Sequence, residues 1–372
     1  MTNTAPFPAH LLPGDGRFGS GPSRIRDEQM KVLSQASEMG TSHRQAPVKA
    51  RVHSIKEGLR ELFSIPEGYE IAFGMGGATA FWAVATTSLI HRSAHAAVCG
   101  EFGAKFAADI AAAPWASVDV TEAPAGQLAL IPGDAPPADT YVYAQNETST
   151  GVASPLYRVG SSPSLTLVDA TSIAGATEVA WDEVDAYYFS PQKAFGSEGG
   201  LWVSVLSPAA VDRAERLAGA KDRYMPSFLN LAEALKQSRL DQTLNTPAIA
   251  TLVLFDEQVK WMLESGGIKA MQARAHAGST LIQDWATERP FASLFVKEPQ
   301  WLSPVTTTVD FAPDIDADTL AKNLRQVGVV DIEGYRKLGR NQLRFASFPS
   351  IPTEDIQALL NCLDWMIEGE LH

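Results

Sequence analysis

The chain has 372 residues, 45% of them hydrophobic and 20% charged, more length than one ordinary core takes, which predicts two domains. Thirty Lys and Arg against 43 Asp and Glu leave a formal net charge of -13, which excludes a general affinity for nucleic acid or acidic membranes, so an anionic substrate must be held by local basic groups. Only two cysteines occur, Cys99 and Cys362, residues 1–8 lack a basic start and an apolar run, and no stretch approaches about 18 uninterrupted apolar residues; a disulfide framework and a CxxC metal site are excluded, and the expectation is a soluble protein of the reducing cytoplasm.

In chain order, residues 1–25 are rich in Pro and Gly and read as an arm, with Pro22 preceding a helix that begins near Asp27. Val48, Val52, Ile55, Leu59, Leu62 and Phe63 fall on one face of an amphipathic helix suited to packing on a sheet. Short apolar runs predict strands over 70–73, 96–99, 140–144, 165–168, 186–189 and 201–206. Helix-like stretches separate several of them, so the fold class is α/β with a largely parallel sheet. The Ala- and Pro-rich stretch 123–138 reads as a surface connection. After a helical region over 248–264, Gly266 and Gly267 mark a break, followed by helix, strand, helix, strand and helix. Asp316 is the N-cap of one of these helices, Leu320, Leu324 and Val327 share its face, and Gly328 closes it. Ile356, Leu359, Leu360, Leu363 and Ile367 line the last. The predicted organisation is an arm over 1–25, a large α/β domain over 26–265 and a smaller α+β domain over 266–372.

In parallel sheets ligands sit beyond the carboxyl ends of the strands, and three of these ends carry reactive residue types. Gly74-Met75-Gly76-Gly77-Ala78-Thr79 leads from a strand into a helix, so small residues let free amide N–H groups approach an anion there, with the Thr79 hydroxyl to help. The same glycines would serve an ordinary tight turn, and the segment lacks the spacing of a nucleotide-binding loop. Asp169 ends an apolar strand, where a carboxylate needs a cation or donor; no His or carboxylate cluster accompanies it, so no metal is expected. Lys193 lies in Ser190-Pro191-Gln192-Lys193-Ala194-Phe195-Gly196, where partial desolvation lowers an amine's pKa and makes it nucleophilic toward an aldehyde. Together, a phosphate cradle, a strand-end acid and a strand-end lysine meet the requirements of pyridoxal 5′-phosphate (PLP): a phosphate anchor, a partner for the pyridinium nitrogen and an amine for the aldehyde.

With these residues go Phe18-Gly19-Ser20-Gly21-Pro22, Ser42-His43-Arg44, Asn146-Glu147-Thr148, Asn245-Thr246-Pro247, Gly334-Tyr335-Arg336 and Leu343-Arg344. Over nearly its whole length the chain thereby resembles the phosphoserine aminotransferases, PLP enzymes of fold type I in the class V aminotransferase group. The resemblance implies that Lys193 bonds to the cofactor aldehyde and Asp169 pairs with its ring nitrogen. It also implies that Gly77, Ala78 and Thr79 hold the phosphate with Gln192 beside them, that Thr148 donates to the phenolic oxygen, and that Phe102 stacks on the ring, where many relatives have Trp. Asn245 and Thr246 would reach the cofactor phosphate of a neighbouring subunit, which makes a homodimer with shared sites. For the substrates, L-glutamate and a phosphorylated 2-oxo acid, the resemblance gives Arg344 the α-carboxylate and His43, Arg44 and Arg336 the distal anion, with Ser20 nearby. Guanidinium forks suit both carboxylate and phosphate.

Two departures stand out. Some members of the family carry Arg where this chain has Ala78 or Thr79, and His where it has Tyr335; Arg17, Arg24, Lys105 and Arg340 are the candidates to compensate. The rivals are an alanine- or serine-to-glyoxylate transaminase, a cysteine desulfurase, and a non-catalytic dimeric scaffold. A desulfurase would need a cysteine in a mobile loop, whereas Cys99 and Cys362 read as strand and helix residues, and a His where Phe102 stands. A scaffold has no need of Lys193 or Asp169. The family also leaves open a phosphorylated threonine precursor of vitamin B6 as a substrate.

Overall fold

Strands apolar on both faces form only where helices cover both sides of a sheet, and that condition organises the molecule. The computed structural model describes residues 7–370, so the first six residues of the expected arm and the last two of the expected small domain lie outside the described residues. The chain runs through α1 (Asp27–Ser34), α2 (Ala46–Leu62), β1 (Glu70–Met75), α3 (Gly77–Ser88), β2 (Ser93–Val98), α4 (Glu101–Ala111), β3 (Ser117–Glu122) and β4 (Thr140–Ala144). It continues through β5 (Asn146–Glu147), β6 (Val152–Ala153), β7 (Leu165–Asp169), β8 (Ala186–Phe189), β9 (Leu201–Leu206), α5 (Pro208–Ala218), α6 (Leu231–Ser238) and α7 (Ile249–Glu264). Seven of these strands form one sheet in the order β1-β9-β8-β7-β4-β2-β3. β2, β3, β4, β7 and β8 are mutually parallel, and β9 runs against both of its neighbours, β1 and β8.

Alternation along the strands divides the core into two layers. Phe73, Tyr187, Phe189, Val203 and Val205 face the layer that holds α2 and α7, while Ala72, Tyr188, Trp202 and Leu206 face the one that holds α3, α4 and α5. The predicted helix face of Val48, Val52, Ile55, Leu59 and Leu62 is buried as expected. β3 has no counterpart in the sequence reading: Ser117-Val118-Asp119-Val120-Thr121-Glu122 is an exposed edge strand with no apolar run to betray it. β2 starts at Ser93 and stops at Val98, so Cys99 lies one residue past the strand and not within it. The 123–138 connection is not wholly superficial either, since Ala129, Ile131 and Ala138 are buried.

The C-terminal part comprises α8 (Gly267–Glu288), β10 (Ala292–Leu294), β11 (Thr306–Phe311), α9 (Ala317–Gln326), β12 (Gln342–Ala346) and α10 (Thr353–Glu370). Its three strands form an antiparallel sheet in the order β10-β11-β12. Asp316 caps α9 through its side chain, as the sequence predicts, whereas β10, only Ala-Ser-Leu, is too short to show a pattern. Among the described residues no helix is long and apolar enough to cross a membrane.

Candidate active site

The carboxyl ends of the parallel strands and the amino end of the reversed β9 meet at one edge of the main sheet, and the turns leaving them line a cavity of about 470 Å³. β1 delivers Gly76, Gly77, Ala78 and Thr79; the first turn of α4, which follows β2, delivers Phe102; β4 leads to Asn146 and Thr148; β7 ends in Asp169; β8 leads to Gln192 and Lys193; and Gly199-Gly200 enter β9. Gly21 and Pro22 of the N-terminal segment form part of the wall.

Gly76 and Gly77 have φ of 101° and 69°, a left-handed path that an L side chain resists; it turns the chain from β1 directly into α3. The free amides and positive dipole end of that 12-residue helix, at Ala78 and Thr79, border the cavity and suit a phosphate. Asp169 is 8% exposed, and its two oxygens are occupied: Oδ2 accepts the indole N–H of Trp82 at 2.8 Å and Oδ1 accepts the amide N–H of Thr171 at 3.0 Å. Trp82, on the cavity-facing side of α3, escaped the sequence reading because an indole on an apolar helix looks like core filling.

Lys193 donates from Nζ to the carbonyl oxygen of Ser20 at 2.7 Å and lies 5.8 Å from the centre of the Phe102 ring. Burial, seconded by the positive charge of Arg344 and opposed by Asp169 and Glu147, lowers its pKa to about 8. About a tenth of the amine is therefore unprotonated at pH 7, far more than an ordinary lysine offers, and this is the form that attacks an aldehyde. Thr148 Oγ1 bonds to Ser172 Oγ, and the Thr148 carbonyl accepts from Arg344 at 3.0 Å. Arg344, whose pKa is pushed down by burial and supported by Tyr335 and Glu147, thus stands beside the cavity without lining it. Its guanidinium lies 5.5 Å from the Tyr335 ring, which in turn neighbours Phe102 at 6.2 Å.

His43, Arg44, Asn245 and Thr246 are gathered elsewhere. His43 Nδ1 meets Thr246 Oγ1 at 3.0 Å and Arg44 donates to Gln242 Oε1 at 2.6 Å, and none of the four lines the cavity. Burial, with Arg44 beside it, pushes the His43 pKa down. Arg336 is exposed, lies outside the cavity lining, and has no ion pair among the described residues. Of the four cations considered as substitutes for the absent loop Arg, Arg17 is tied to Asp15, Arg24 to Asp15 and Asp355, and Arg340 to Asp310. Lys105 alone lies beside the site, 5.6 Å from the Phe102 ring and paired with Glu101. The cysteines are inert as nucleophiles: burial pushes Cys99 up to about 12 and Cys362 up to about 11.

Among the described residues, several polar atoms on the cavity wall have no partner. Both side-chain polar atoms of Asn146, Thr171 Oγ1 and Gln192 Oε1 are buried without a hydrogen bond, a state that folded proteins seldom tolerate unless something else satisfies it. A ligand with a phosphate, a ring and several hydrogen-bonding groups fits these openings together with the glycine cradle. Among the described residues no group of three or more His, Cys, Asp or Glu side chains is placed to hold a metal.

Residues 23–336 match the family model described as Aminotransferase class-V, and the chain belongs to that family: it is a PLP-dependent transaminase of fold type I. Among its relatives are the phosphoserine aminotransferase of Corynebacterium glutamicum (strain R), 48% identical over 99% of both chains, and that of Nocardioides sp., 47% identical over 99% of this chain and all of the other. The crystal structure of a phosphoserine aminotransferase from Cytophaga hutchinsonii shares the fold with a TM-score of 0.87, covering 95% of this chain and 99% of the other at 23% identity.

The indole bond to Asp169 is open to direct test. Trp82→Phe keeps the bulk but removes the donor, a charge-assisted hydrogen bond worth about 1.5–3 kcal/mol, and is expected to weaken PLP binding to the cofactor-free chain about tenfold or more in an absorbance titration. Unchanged affinity would show that Asp169 does not depend on Trp82.

Proposed function

We propose that the chain catalyses the reversible transfer of an amino group between L-glutamate and 3-phosphohydroxypyruvate, giving 2-oxoglutarate and O-phospho-L-serine, a step of serine biosynthesis. The observation that carries this reading is the meeting of Lys193 and Asp169 in one cavity, in a chain that aligns end to end with phosphoserine aminotransferases at 47–48% identity.

When bound, PLP supplies an aldehyde that takes up the amino group and a protonated ring that draws electrons from the substrate's Cα. The chain's residues do the rest. The amides of Ala78 and Thr79 would hold the phosphate, with Gln192 beside them, and Phe102 would cover one ring face. Asp169 keeps the ring nitrogen protonated, itself fixed by Trp82 and the Thr171 amide. Thr148 supplies a hydroxyl for the phenolic oxygen. Lys193 would take the proton from the substrate's Cα as a base and, as an acid, give one to the cofactor's former aldehyde carbon across the transferred nitrogen, a role suited to an amine whose pKa is about 8. Arg344 holds the α-carboxylate of either substrate in bidentate fashion.

The distal anion needs further cations, and those of the Ser-His-Arg segment stand away from this chain's own cavity. We assign that role to Arg336 together with His43 and Arg44 of the partner subunit in a homodimer. The partner's Asn245 and Thr246, which cluster with its His43, would reach the cofactor phosphate. Ser20, whose hydroxyl is buried without a partner among the described residues and whose carbonyl receives Lys193, lies at the substrate side. Residues 26–265 then form the large cofactor-binding domain and 266–372 the small domain that carries Arg336 and Arg344. A cytoplasmic location suits the free, buried cysteines.

Glutamate should bleach the visible absorption of the PLP-loaded protein, and 3-phosphohydroxypyruvate should restore it; failure of either half-reaction contradicts the assigned substrates. In Arg344→Ala, KM should rise by about tenfold or more for both substrates, the worth of a lost charge-assisted pair, and an unchanged KM would remove Arg344 from the carboxylate site. Because the Lys193 pKa is lowered, its unprotonated fraction grows through pH 8. The rate at which the cofactor-free chain captures PLP should therefore climb to about pH 8 and level off above it. A rate still rising toward the ordinary lysine range would contradict the desolvated amine.

A further inference from the structure

Glu147 is fully buried, at 0% exposure, carries an ionisable group at the edge of the active site, and has no part in the chemistry above. Every hydrogen-bond partner of its carboxylate is a donor. Oε2 accepts the amide N–H groups of Phe102 and Gly103, both at 3.1 Å, and Oε1 accepts from Ser149 through the hydroxyl at 2.6 Å and the amide at 3.2 Å. Ser149 Oγ in turn accepts the amide of Glu101 at 3.1 Å. The first three amides of α4 are thus satisfied from a segment about 45 residues further along the chain. The residue at the helix's own N-cap is Gly100, which has no side chain to offer. A Cβ on Gly100 would stand 2.4 Å from Glu147 Cγ and 2.6 Å from Ser149 Oγ, so glycine there is what lets the carboxylate reach the helix.

The same three-residue segment serves two other parts of the site. Thr148 lines the cavity beside the ring position, and its carbonyl receives Arg344. Burial pushes the Glu147 pKa up while Ser149 and the amides of Gly103 and Phe102 pull against it. A carboxylate surrounded only by donors at a helix N-terminus suits the charged form. Its charge also supports the protonated forms of Lys193 and Arg344.

We propose that Glu147 is the positioning residue of this site: by clamping the first turn of α4 onto the Glu147–Ser149 segment, it holds Phe102, Thr148 and Arg344 in one register, so that ring stacking and carboxylate binding are set by one buried side chain. This rests on the transaminase reading, since Phe102, Thr148 and Arg344 matter together only if a ring and a carboxylate are bound there.

Glu147→Gln keeps the shape but turns an amide NH₂ toward the N–H donors of α4. Gly100→Ala disturbs the same contact from the helix side and leaves the carboxylate in place. PLP affinity of the cofactor-free protein, the visible spectrum of the loaded protein, glutamate KM and the thermal midpoint are read for both variants and the unaltered chain. The expected result in both is PLP binding weakened about 10- to 100-fold, the worth of one or two charge-assisted hydrogen bonds, with a shifted visible band and a raised glutamate KM. A lowered thermal midpoint with unaltered affinity, spectrum and KM would reduce Glu147 to a helix cap and overturn the proposal. If Glu147→Gln does not fold, Gly100→Ala decides alone by the same readouts. An unaltered chain that binds no PLP would defeat the transaminase reading itself, whereas an unaltered chain that binds PLP normally beside variants that do the same defeats only the role of Glu147.

Discussion

An amine that must give up its proton and a carboxylate that must be met by donors make opposite demands on their surroundings, and this site holds both in one cavity. Lys193 loses its proton readily because it is desolvated and shares the space with Arg344. Asp169, at the end of β7, is buried too, yet Trp82 and the Thr171 amide give each of its oxygens a donor. Without those donors the buried oxygens of Asp169 would be unsatisfied, and a wetter Lys193 would keep its proton. The remaining features of the molecule either create this pair of environments or bring a substrate to it.

The main sheet creates them by geometry. Parallel strands send their carboxyl ends to the same edge, and the reversal of β9 adds Gly199 and Gly200 to that edge rather than to the opposite one. The segment between β4 and β7 then ties the edge to the C-terminal sheet. Thr308 on β11 donates to the carbonyl of Thr150 at 2.6 Å, Arg344 on β12 to that of Thr148, and Val152 bridges to Leu302. The stretch of backbone that carries Thr148 is therefore bonded at once to Arg344 and, through Glu147, to the first turn of α4, where Phe102 sits.

Legibility in the sequence followed burial. β4, β7, β8 and β9 are covered on both faces and show as apolar runs, so the residues that end them, Asp169 and the turn carrying Lys193, could be found by eye. β3, exposed at the sheet edge with Asp119, Thr121 and Glu122, leaves no such trace. Trp82 and Glu147 were opaque for a different reason. Their importance lies in contacts made 87 and 45 residues away, and an indole in an apolar helix or an acid in a two-residue strand carries no local mark of its partner. Likewise the placing of His43 and Arg44 beside Thr246, away from their own cavity, is a fact of tertiary geometry that spacing along the chain does not encode.

The central claim is that one particular amine grips the cofactor. Reduction of the PLP-loaded protein with borohydride, followed by proteolysis and mass spectrometry, fixes the cofactor irreversibly to whatever lysine holds it. The account predicts a pyridoxyl group on the peptide containing Lys193 and on no other; modification of a different lysine, or of none, would contradict it.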